Sequence, residues 1–327
     1  MVTVTIDQSS IEGITSLRAH IVGPMKLFVF VLSVLLCGNA FCQVRIVVPF
    51  PPGDGADALA RLIAPKLSEI WKEQVIVENK AGASQVGADF VAQSPGDGKT
   101  LLMSSTASLT EKNVQQFAPV TLVSASPYVV TASINTNFTS IHELISFARA
   151  NPGKLTYGSS GTGAASHLSA ELFKYMAKVD LLHVPYKGTG QAVTDLLAGQ
   201  IDLLFAPSQA VIQHVAAGKL IALATTGNRR SETLPNLPTV YEAGVPGYDA
   251  LDWFGLLAPA ATPRNLVLKL SADANRVLAD PDIRSRMHSL GADPAGNTPA
   301  EFARFIRSDQ AKWANLMRRT GIKAEGD

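Results

Sequence analysis

The feature that most constrains how this chain can fold is a regular alternation of short apolar runs and amphipathic helical stretches. From residue 44 to residue 105, three apolar runs are separated by two segments with helical spacing. In the first of these segments, Leu59, Ile63 and Leu67 fall on one face, and Pro65 predicts a kink. Strands joined by helices in this way pair in parallel, so the pattern predicts a doubly wound α/β fold.

The alternation resumes in the second third of the chain. Two strands are predicted at 118–124 and 128–133, and further helices and strands follow. A proline-rich run at 233–248 is typical of a return connection rather than a core element. One more strand and several helices complete the chain.

A chain that leaves one α/β lobe, builds another and returns forms two lobes around a cleft. We therefore assign residues 43–122 and 229–327 to lobe 1 and residues 123–228 to lobe 2. The hinge is predicted at the crossings near Val123 and Gly227. Ligands of open α/β sheets bind beyond the carboxyl ends of the strands, at helix N-termini.

The N-terminal region, residues 1–42, has the layout of an upstream extension followed by a signal peptide. A basic residue after Met25 precedes an apolar core that is too short to span a bilayer comfortably. We predict translation from Met25, cleavage after Ala40 or Cys42, and export to the periplasm. Both cysteines lie within or beside this segment, so no intrachain disulfide is expected in the mature chain.

Composition and motif spacing argue against several classes of function. The chain has 28 basic and 27 acidic residues, a net charge of +1 and no basic run, so no nucleic-acid partner is predicted. The six histidines lack metal-ligand spacing, and we predict neither a metal nor a cofactor. The segment 94–100 ends like a phosphate-binding loop, but Gln93 replaces its first glycine and Lys99 enters a strand. No serine-nucleophile motif or paired carboxylates are found, so no catalytic residue is predicted.

The stretch from Gly53 to Ala58 has the form of a dinucleotide-binding fingerprint, G-x-G-x-x-A. In such a fingerprint the first glycine follows the strand directly, whereas Pro51 and Pro52 intervene here. Asp54 would also place a like charge against a pyrophosphate. Because an exported protein meets no NAD pool, we interpret the match as coincidental and keep an NAD-dependent oxidoreductase as the least favoured alternative.

The same loop can bind an anion without being a nucleotide site. Gly53 and Gly55 leave backbone N–H groups open to a ligand, and the helix that follows points its positive end at the same place. Asp54 and Asp57 complicate this interpretation because they are anions themselves. Either aspartate could instead cap the helix, and the sequence leaves the two alternatives equal.

A second glycine-rich loop, YGSSGTGAASH at 157–167, repeats this arrangement in lobe 2. Hydroxyl groups and glycines precede another helix, and two such loops predict a carboxylate held between opposed helix N-termini. An ordinary turn with Ser166 as the helix cap is the alternative. His167 is interpreted as packing beside its loop rather than as a catalytic base. In the next motif, HVPYKG, Tyr186 could line the cleft and Lys187 could add positive charge, although an exposed turn lysine is usually just solvated.

Several motifs in a fixed order together indicate a family. They include VPFPPGDGADALARLIAPKLSE, PGKLTYGSSGTGAASHLSAELFK, HVPYKGTGQAVTDLLAGQIDLLF and WFGLLAPAATP, and from Val44 to its C-terminus the chain resembles the Bug receptors. These are the extracytoplasmic solute-binding proteins of tripartite tricarboxylate transporters. The resemblance implies a type II periplasmic-binding-protein fold, a Venus flytrap with two doubly wound lobes around a ligand cleft. It also implies a receptor rather than an enzyme, with a monomer as the default state.

The resemblance further implies that the receptor delivers a small carboxylate to membrane subunits of such a transporter. That ligand could be a di- or tricarboxylate, an acidic amino acid or an aromatic acid, held partly through water by the two glycine-rich loops and the rim of the cleft. The implied ligand-contact residues are Pro51, Pro52, Gly53, Asp54, Gly55, Asp57, Ser105, Ser159, Ser160, Gly161, Thr162, Gly163, Ala164, His167, Tyr186, Lys187, Gly188, Ala206 and Pro207.

The chain departs from the family pattern in three places. Asp54 stands where the family has a glycine or another small residue, GASQVGAD replaces a more glycine-rich motif, and the stretch from Ser108 to Phe117 is shortened. These departures leave the class intact and the ligand open. A receptor that reports its ligand to a signalling partner also remains an alternative, because the sequence does not separate sensing from transport.

Overall fold

In the computed structural model, the described residues are 43–80, 84–106, 108–110 and 112–322, and they form an α/β fold. The predicted signal peptide lies outside them. The strands are β1 (Gln43–Val48), β2 (Gln74–Asn79), β3 (Thr100–Ser104), β4 (Phe117–Ser133), β5 (Thr156–Ser159), β6 (Leu182–Pro185), β7 (Leu203–Pro207), β8 (Leu220–Thr225) and β9 (Leu251–Pro259). The α-helices are α1 (Gly55–Trp71), α2 (Ser84–Ala92), α3 (Ile141–Ala150), α4 (Ala165–Ala177), α5 (Thr189–Leu197), α6 (Ser208–Ala216), α7 (Arg264–Leu278), α8 (Pro281–Ser289) and α9 (Pro299–Thr320).

The strands form one mixed sheet rather than the parallel sheet that the alternation suggests. Its order is β2-β1-β3-β9-β4-β7-β5-β6, and β8 pairs with β4. Parallel pairing is confined to two sets, β2-β1-β3 and β7-β5-β6, whereas β4 and β9 are antiparallel to their neighbours. We call β1, β2, β3 and their helices the first half, and β5, β6, β7 and β8 with theirs the second half.

Strand β4 connects the two halves without a break, and the prediction of two separate strands at 118–124 and 128–133 is therefore wrong. Up to Pro127 it pairs with β9, and from Tyr128 onward it pairs with β7 and β8. The ring of Pro127 fixes a φ near −65°, which is compatible with extended backbone, so the chain stays extended while its partners change.

Helix α1 shows how the predicted amphipathic pattern packs. Leu59, Ile63 and Leu67 are buried within the first half. Each such side chain contributes about 1.5–3 kcal/mol relative to an exposed one. Pro65 lies inside the helix, which continues for more than a turn beyond it.

The buried cores assign several late residues to the second half. Residues Tyr157, Phe173 and Phe205 form one hydrophobic cluster with side chains from 240–250 and with Trp313 of α9. The division of the sequence at residue 228 instead places 240–250 in lobe 1. The proline-rich run between β8 and β9 has no strand or helix, as predicted for a connection, but its end packs into the second half.

Helix α9 belongs to both cores. Phe302 and Ile306, near its start, are buried among first-half side chains, whereas Trp313 and Leu316 are buried in the second-half cluster. The helix is therefore a second element, with β4, that both halves share. Within the described part of the chain, no helix is long and apolar enough to cross a membrane.

Candidate functional site

In the first glycine-rich loop, the carboxylates of Asp57 and Asp54 accept hydrogen bonds from backbone N–H groups of the loop and of the first turn of α1. Gly53 adopts a φ of +87°, which favours glycine, and its N–H donates to Oδ2 of Asp57 at 2.9 Å. Asp54 is the N-cap of α1, and its Oδ1 accepts the N–H of Ala56 at 3.0 Å. Because both side chains use amides that face the loop, the positive end of α1 is already partly neutralised.

Asp57 is a structural residue of this loop. It is buried, and its carboxylate also accepts hydrogen bonds from Arg61 at 3.0 Å and Asn79 at 2.9 Å. Burial acts to raise the pKa of Asp57, but the hydrogen bonds from Arg61, Gly53 and Asn79 outweigh it and hold the pKa below its usual value. A carboxylate with this many partners locks the loop, so the two amides that it and Asp54 occupy are not free for a pyrophosphate.

Asp54 has a different environment from Asp57. Its side chain is exposed to solvent, yet desolvation raises its pKa, and the nearby charge of Asp57 adds to the effect. Neighbouring groups therefore shield Asp54 in part, although its side chain stays accessible to solvent.

Two further polar groups, Asp252 and Tyr128, adjoin Asp54. Burial, followed by the charge of Asp54, raises the pKa of Asp252 to about 7, while a hydrogen bond from Tyr128 lowers it. Tyr128 is paired across strands with Pro207, at the start of α6. Tyr128 therefore lies close both to Asp54 of the first loop and to the start of α6 in the second half. Sequence reasoning missed both Asp252 and Tyr128, although an aspartate within the otherwise apolar run LDWFGLLAP was a usable signal.

The second glycine-rich loop is held by hydroxyl groups. Ser159 is buried, and its Oγ donates to the carbonyl of Gly161 at 3.0 Å and accepts the N–H of the same residue at 3.3 Å. The N–H of Ser160 donates to Oγ of Ser166 at 3.0 Å. Helix α4 has Ala164 as its N-cap without a side-chain acceptor, so the alternative of Ser166 as the helix cap is wrong.

Beneath this loop three rings are stacked. His167 lies 4.0 Å from His183 between ring centroids, and His183 lies 4.9 Å from Tyr157. Nδ1 of His167 accepts the N–H of Gly163 at 3.0 Å, and Nε2 of His183 lies 2.7 Å from Oγ of Ser159. His167 thus packs beside its loop as predicted, whereas sequence reasoning missed His183.

Three helices of the second half begin without a side-chain cap. The N-cap residues of α4, α5 and α6 are Ala164, Gly188 and Pro207, and none of them provides a side-chain acceptor. These helices follow β5, β6 and β7, which are parallel neighbours, so their N-termini meet at one edge of the sheet. Uncapped N–H groups and aligned helix dipoles make this edge attractive to an anion.

Several other predicted contact residues are less available to a ligand. Ala206 is fully buried, and the N–H of Ser105 donates to Oγ of Ser108 at 3.2 Å. The hydroxyl of Tyr186 donates to Asp195 at 2.8 Å, and burial, followed by this carboxylate, raises the pKa of Tyr186 to about 12.

The remaining predicted contacts lie in or beside the two loops and on the rim. A Cβ built on Gly55 would lie 3.2 Å from the ring of Phe254, so a side chain there meets the strand β9. No group of His, Cys, Asp or Glu in the described ranges is arranged to hold a metal ion. Among the predicted contacts, those exposed to solvent include Pro51, Pro52, Thr162 and Lys187.

Comparison with known proteins identifies relatives over most of the chain. Residues 59–322 match a family described as the tripartite tricarboxylate transporter family receptor, TctC. A UPF0065 protein from the tcbD-tcbE intergenic region of Pseudomonas sp. strain P51 is 39% identical over 282 residues, which cover 83% of this chain and 84% of that protein.

Solved structures agree in fold. A protein of R. palustris, solved with adipate, is 34% identical, with a TM-score of 0.71 and coverage of 86% of this chain and 98% of that chain. The periplasmic binding protein BugD is 33% identical, with a TM-score of 0.68 and coverage of 86% of this chain and 99% of that chain.

Proposed function

The chain belongs to the tripartite tricarboxylate transporter receptor family, whose members are periplasmic solute-binding receptors and not enzymes, and we propose that it captures one small carboxylate for such a transporter. The observation that carries this proposal is the edge of the second half, where three helices begin without a side-chain cap. A ligand carboxylate placed there accepts N–H groups that have no side-chain cap and is stabilised by three helix dipoles.

The first loop recognises a different part of the ligand. Its helix is capped by Asp54, and Asp252 lies nearby, so this side offers acceptors rather than amide donors. We assign to it a hydroxyl or ammonium group of the ligand instead of a second carboxylate. This favours hydroxy-diacids and acidic amino acids over plain diacids, although the relative solved with adipate makes a plain diacid a necessary test compound.

Closure of two lobes completes the site in this proposal. Lobe 1 is residues 43–122 with most of 229–327, lobe 2 is residues 123–228, and the core contacts of 240–250 favour extending lobe 2 to include them. Contacts of one ligand with both lobes stabilise the closed form over the open one.

The remaining parts of the proposal concern location and partners. The N-terminal signal directs export, and the mature chain works in the periplasm as a monomer. It then delivers its ligand to the two membrane subunits of the transporter. Copurification of those subunits with the closed, ligand-loaded receptor but not with the empty one distinguishes transport from signalling.

A thermal-shift screen tests the proposed function. The chain from Gln43 onward is refolded to remove bound ligand and screened against plain, hydroxy- and amino-diacids, tricarboxylates and aromatic acids, with NAD as the control. A true ligand at a hundredfold excess over its Kd adds about 2.7 kcal/mol, which raises Tm by several degrees. A screen in which no acid raises Tm, or in which NAD does, would overturn the proposal.

A further inference from the structure

Two histidines, the buried His167 and the half-buried His183, hold the glycine-rich loop that precedes helix α4. The N–H of Gly163 lies 3.0 Å from Nδ1 of His167. A backbone amide can only donate, so Nδ1 must be the unprotonated nitrogen of this ring. His167 is 4% exposed, so the contact is shielded from water. One end of the loop is therefore fixed by an imidazole that acts as an acceptor.

His183 fixes the other end. Its Nε2 lies 2.7 Å from Oγ of Ser159, and that hydroxyl also contacts both the N–H and the carbonyl of Gly161. The serine hydroxyl can donate only once. When this hydroxyl donates to the Gly161 carbonyl, Nε2 of His183 must donate to the hydroxyl oxygen. The directions of all the hydrogen bonds at Ser159 Oγ are then fixed.

The stack beneath the loop keeps both rings in place. The ring of His183 lies between those of His167 and Tyr157. The hydroxyl of Tyr157 donates to Glu171 at 2.5 Å, and Lys174 pairs with the same carboxylate at 2.7 Å. The charged groups that face the two histidines therefore neutralise each other.

We propose that His167 and His183 are positioning residues that set the ligand affinity of the receptor by aligning the loop from Ser159 to Gly163, without touching the ligand themselves. This inference rests on the proposed function, because it assumes that the loop and the helix behind it receive a carboxylate. It gives His167 a different role from the ligand contact that the family resemblance implies.

The ionisation of the rings fits this role. Burial lowers the pKa of His167, with Glu171 opposing the effect and Lys174 reinforcing it. Burial and the neighbouring His167 lower the pKa of His183 to about 4. Both rings are therefore neutral at pH 7, which is the state that an Nδ1 acceptor requires.

A pair of substitutions at one position tests the proposal. In His167→Asn the amide oxygen occupies the place of Nδ1 and still accepts a hydrogen bond, whereas His167→Leu has a similar volume and no acceptor. For the best acid of the screen, calorimetry should give a Kd within about twofold of wild type for His167→Asn and a loss of about tenfold or more for His167→Leu. His142→Leu, which replaces an exposed histidine on α3, is the matched control and should bind like wild type.

Other results of this comparison overturn the proposal. If both His167 variants bind like wild type, the ring does not position the loop. If both lose affinity equally, the ring itself contacts the ligand. Unfolding curves of the three variants separate a binding effect from a loss of folded protein.

A ligand-free measurement keeps this inference separate from the proposed function. In long-range ¹⁵N–¹H spectra at pH 7, His167 should carry its proton on Nε2, and a proton on Nδ1 would overturn the hydrogen bond on which the inference rests. Exchange of the Gly163 amide should be slow in wild type and in His167→Asn, and faster in His167→Leu. If no acid binds wild type, the proposed function fails, and these two measurements still decide whether His167 holds the loop.

Discussion

Asp54, at the start of α1, helps to raise the pKa of Asp252, on β9, to about 7, although burial of Asp252 is the larger cause. The two residues lie far apart in sequence and come from different elements of the structure. Neither forms an ion pair with a basic side chain within the described part of the chain. The negative charges of Asp54 and Asp252 are therefore not balanced by a basic side chain, and this affects both the stability of the fold and the choice of ligand.

The first prediction concerns Asp252→Asn. A carboxyl whose pKa is higher in the folded than in the unfolded state stabilises the fold below the unfolded pKa and loses that contribution as pH rises toward and past about 7. Asn cannot ionise, so the variant should be more stable than wild type at pH 8 and lose this advantage at pH 4. The pKa of Asp252 rises by about 3, from 3.8 to about 7, and a difference of one in pKa corresponds to about 1.4 kcal/mol. The gain in stability at pH 8 is therefore at most about 4 kcal/mol, and the partial contact of Asp252 with solvent reduces it.

Urea unfolding at pH 4, 6 and 8 measures this effect. Asp89→Asn, on the exposed surface of α2, is the control and should show no such pH-dependent gain. An Asp252→Asn variant that is destabilised equally at all three pH values would show that the carboxylate is held by partners as an anion.

The second prediction concerns Asp54→Asn. Asparagine caps a helix about as well as aspartate, so the free energy of unfolding should change by less than about 0.5 kcal/mol. The lost charge should tighten the binding of plain diacids and weaken that of amino-diacids, because only the latter gain from a nearby carboxylate. Calorimetry with one compound of each kind measures the two changes, and changes of equal sign and size would remove Asp54 from the ligand site.

Much of the fold was predictable because its signals are local. The alternation of apolar runs and helices gave the correct elements around both loops, and Lys99 does precede a strand that begins at Thr100. The change of partners along β4 was not predictable, because it depends on where β7, β8 and β9 return. The assignment of Trp313 to the second-half core depends on long-range packing in the same way.

The site was predictable only in part, for a related reason. The glycine-rich loops are contiguous in sequence, so their place at helix starts could be read from the chain. Whether Asp54 and Asp57 cap α1 depends on side-chain geometry, and the structure shows that both occupy loop amides. His183 and Asp252 come from strands remote in sequence from the loops that they affect, so neither HVPYKG, which contains His183, nor the aspartate of LDWFGLLAP shows which loop it meets.

The third prediction concerns Gly163→Asp in the second loop. The residue has a φ of +84°, and an aspartate there adds a negative charge beside the uncapped start of α4. A ligand carboxylate would meet a like charge, so affinity should fall at least about a hundredfold while the protein stays folded. Gly218→Asp is matched, because Gly218 also has a positive φ, of +66°, with open space around its Cβ position. Equal affinity of the two variants would remove the loop from the site.

The fourth prediction concerns Trp313 on α9, the helix that contributes to both cores. The side chain is 4% exposed in the second-half cluster, so Trp313→Ala should lower the free energy of unfolding by about 3–5 kcal/mol. Arg307→Ala, at an exposed position of the same helix, is the control and should lower it by less than about 0.5 kcal/mol. Because β4 and α9 are shared by both halves, the variant should still unfold in one transition when followed by tryptophan fluorescence and by circular dichroism. Two separate transitions would mean that the halves are stable independently and that α9 does not couple them.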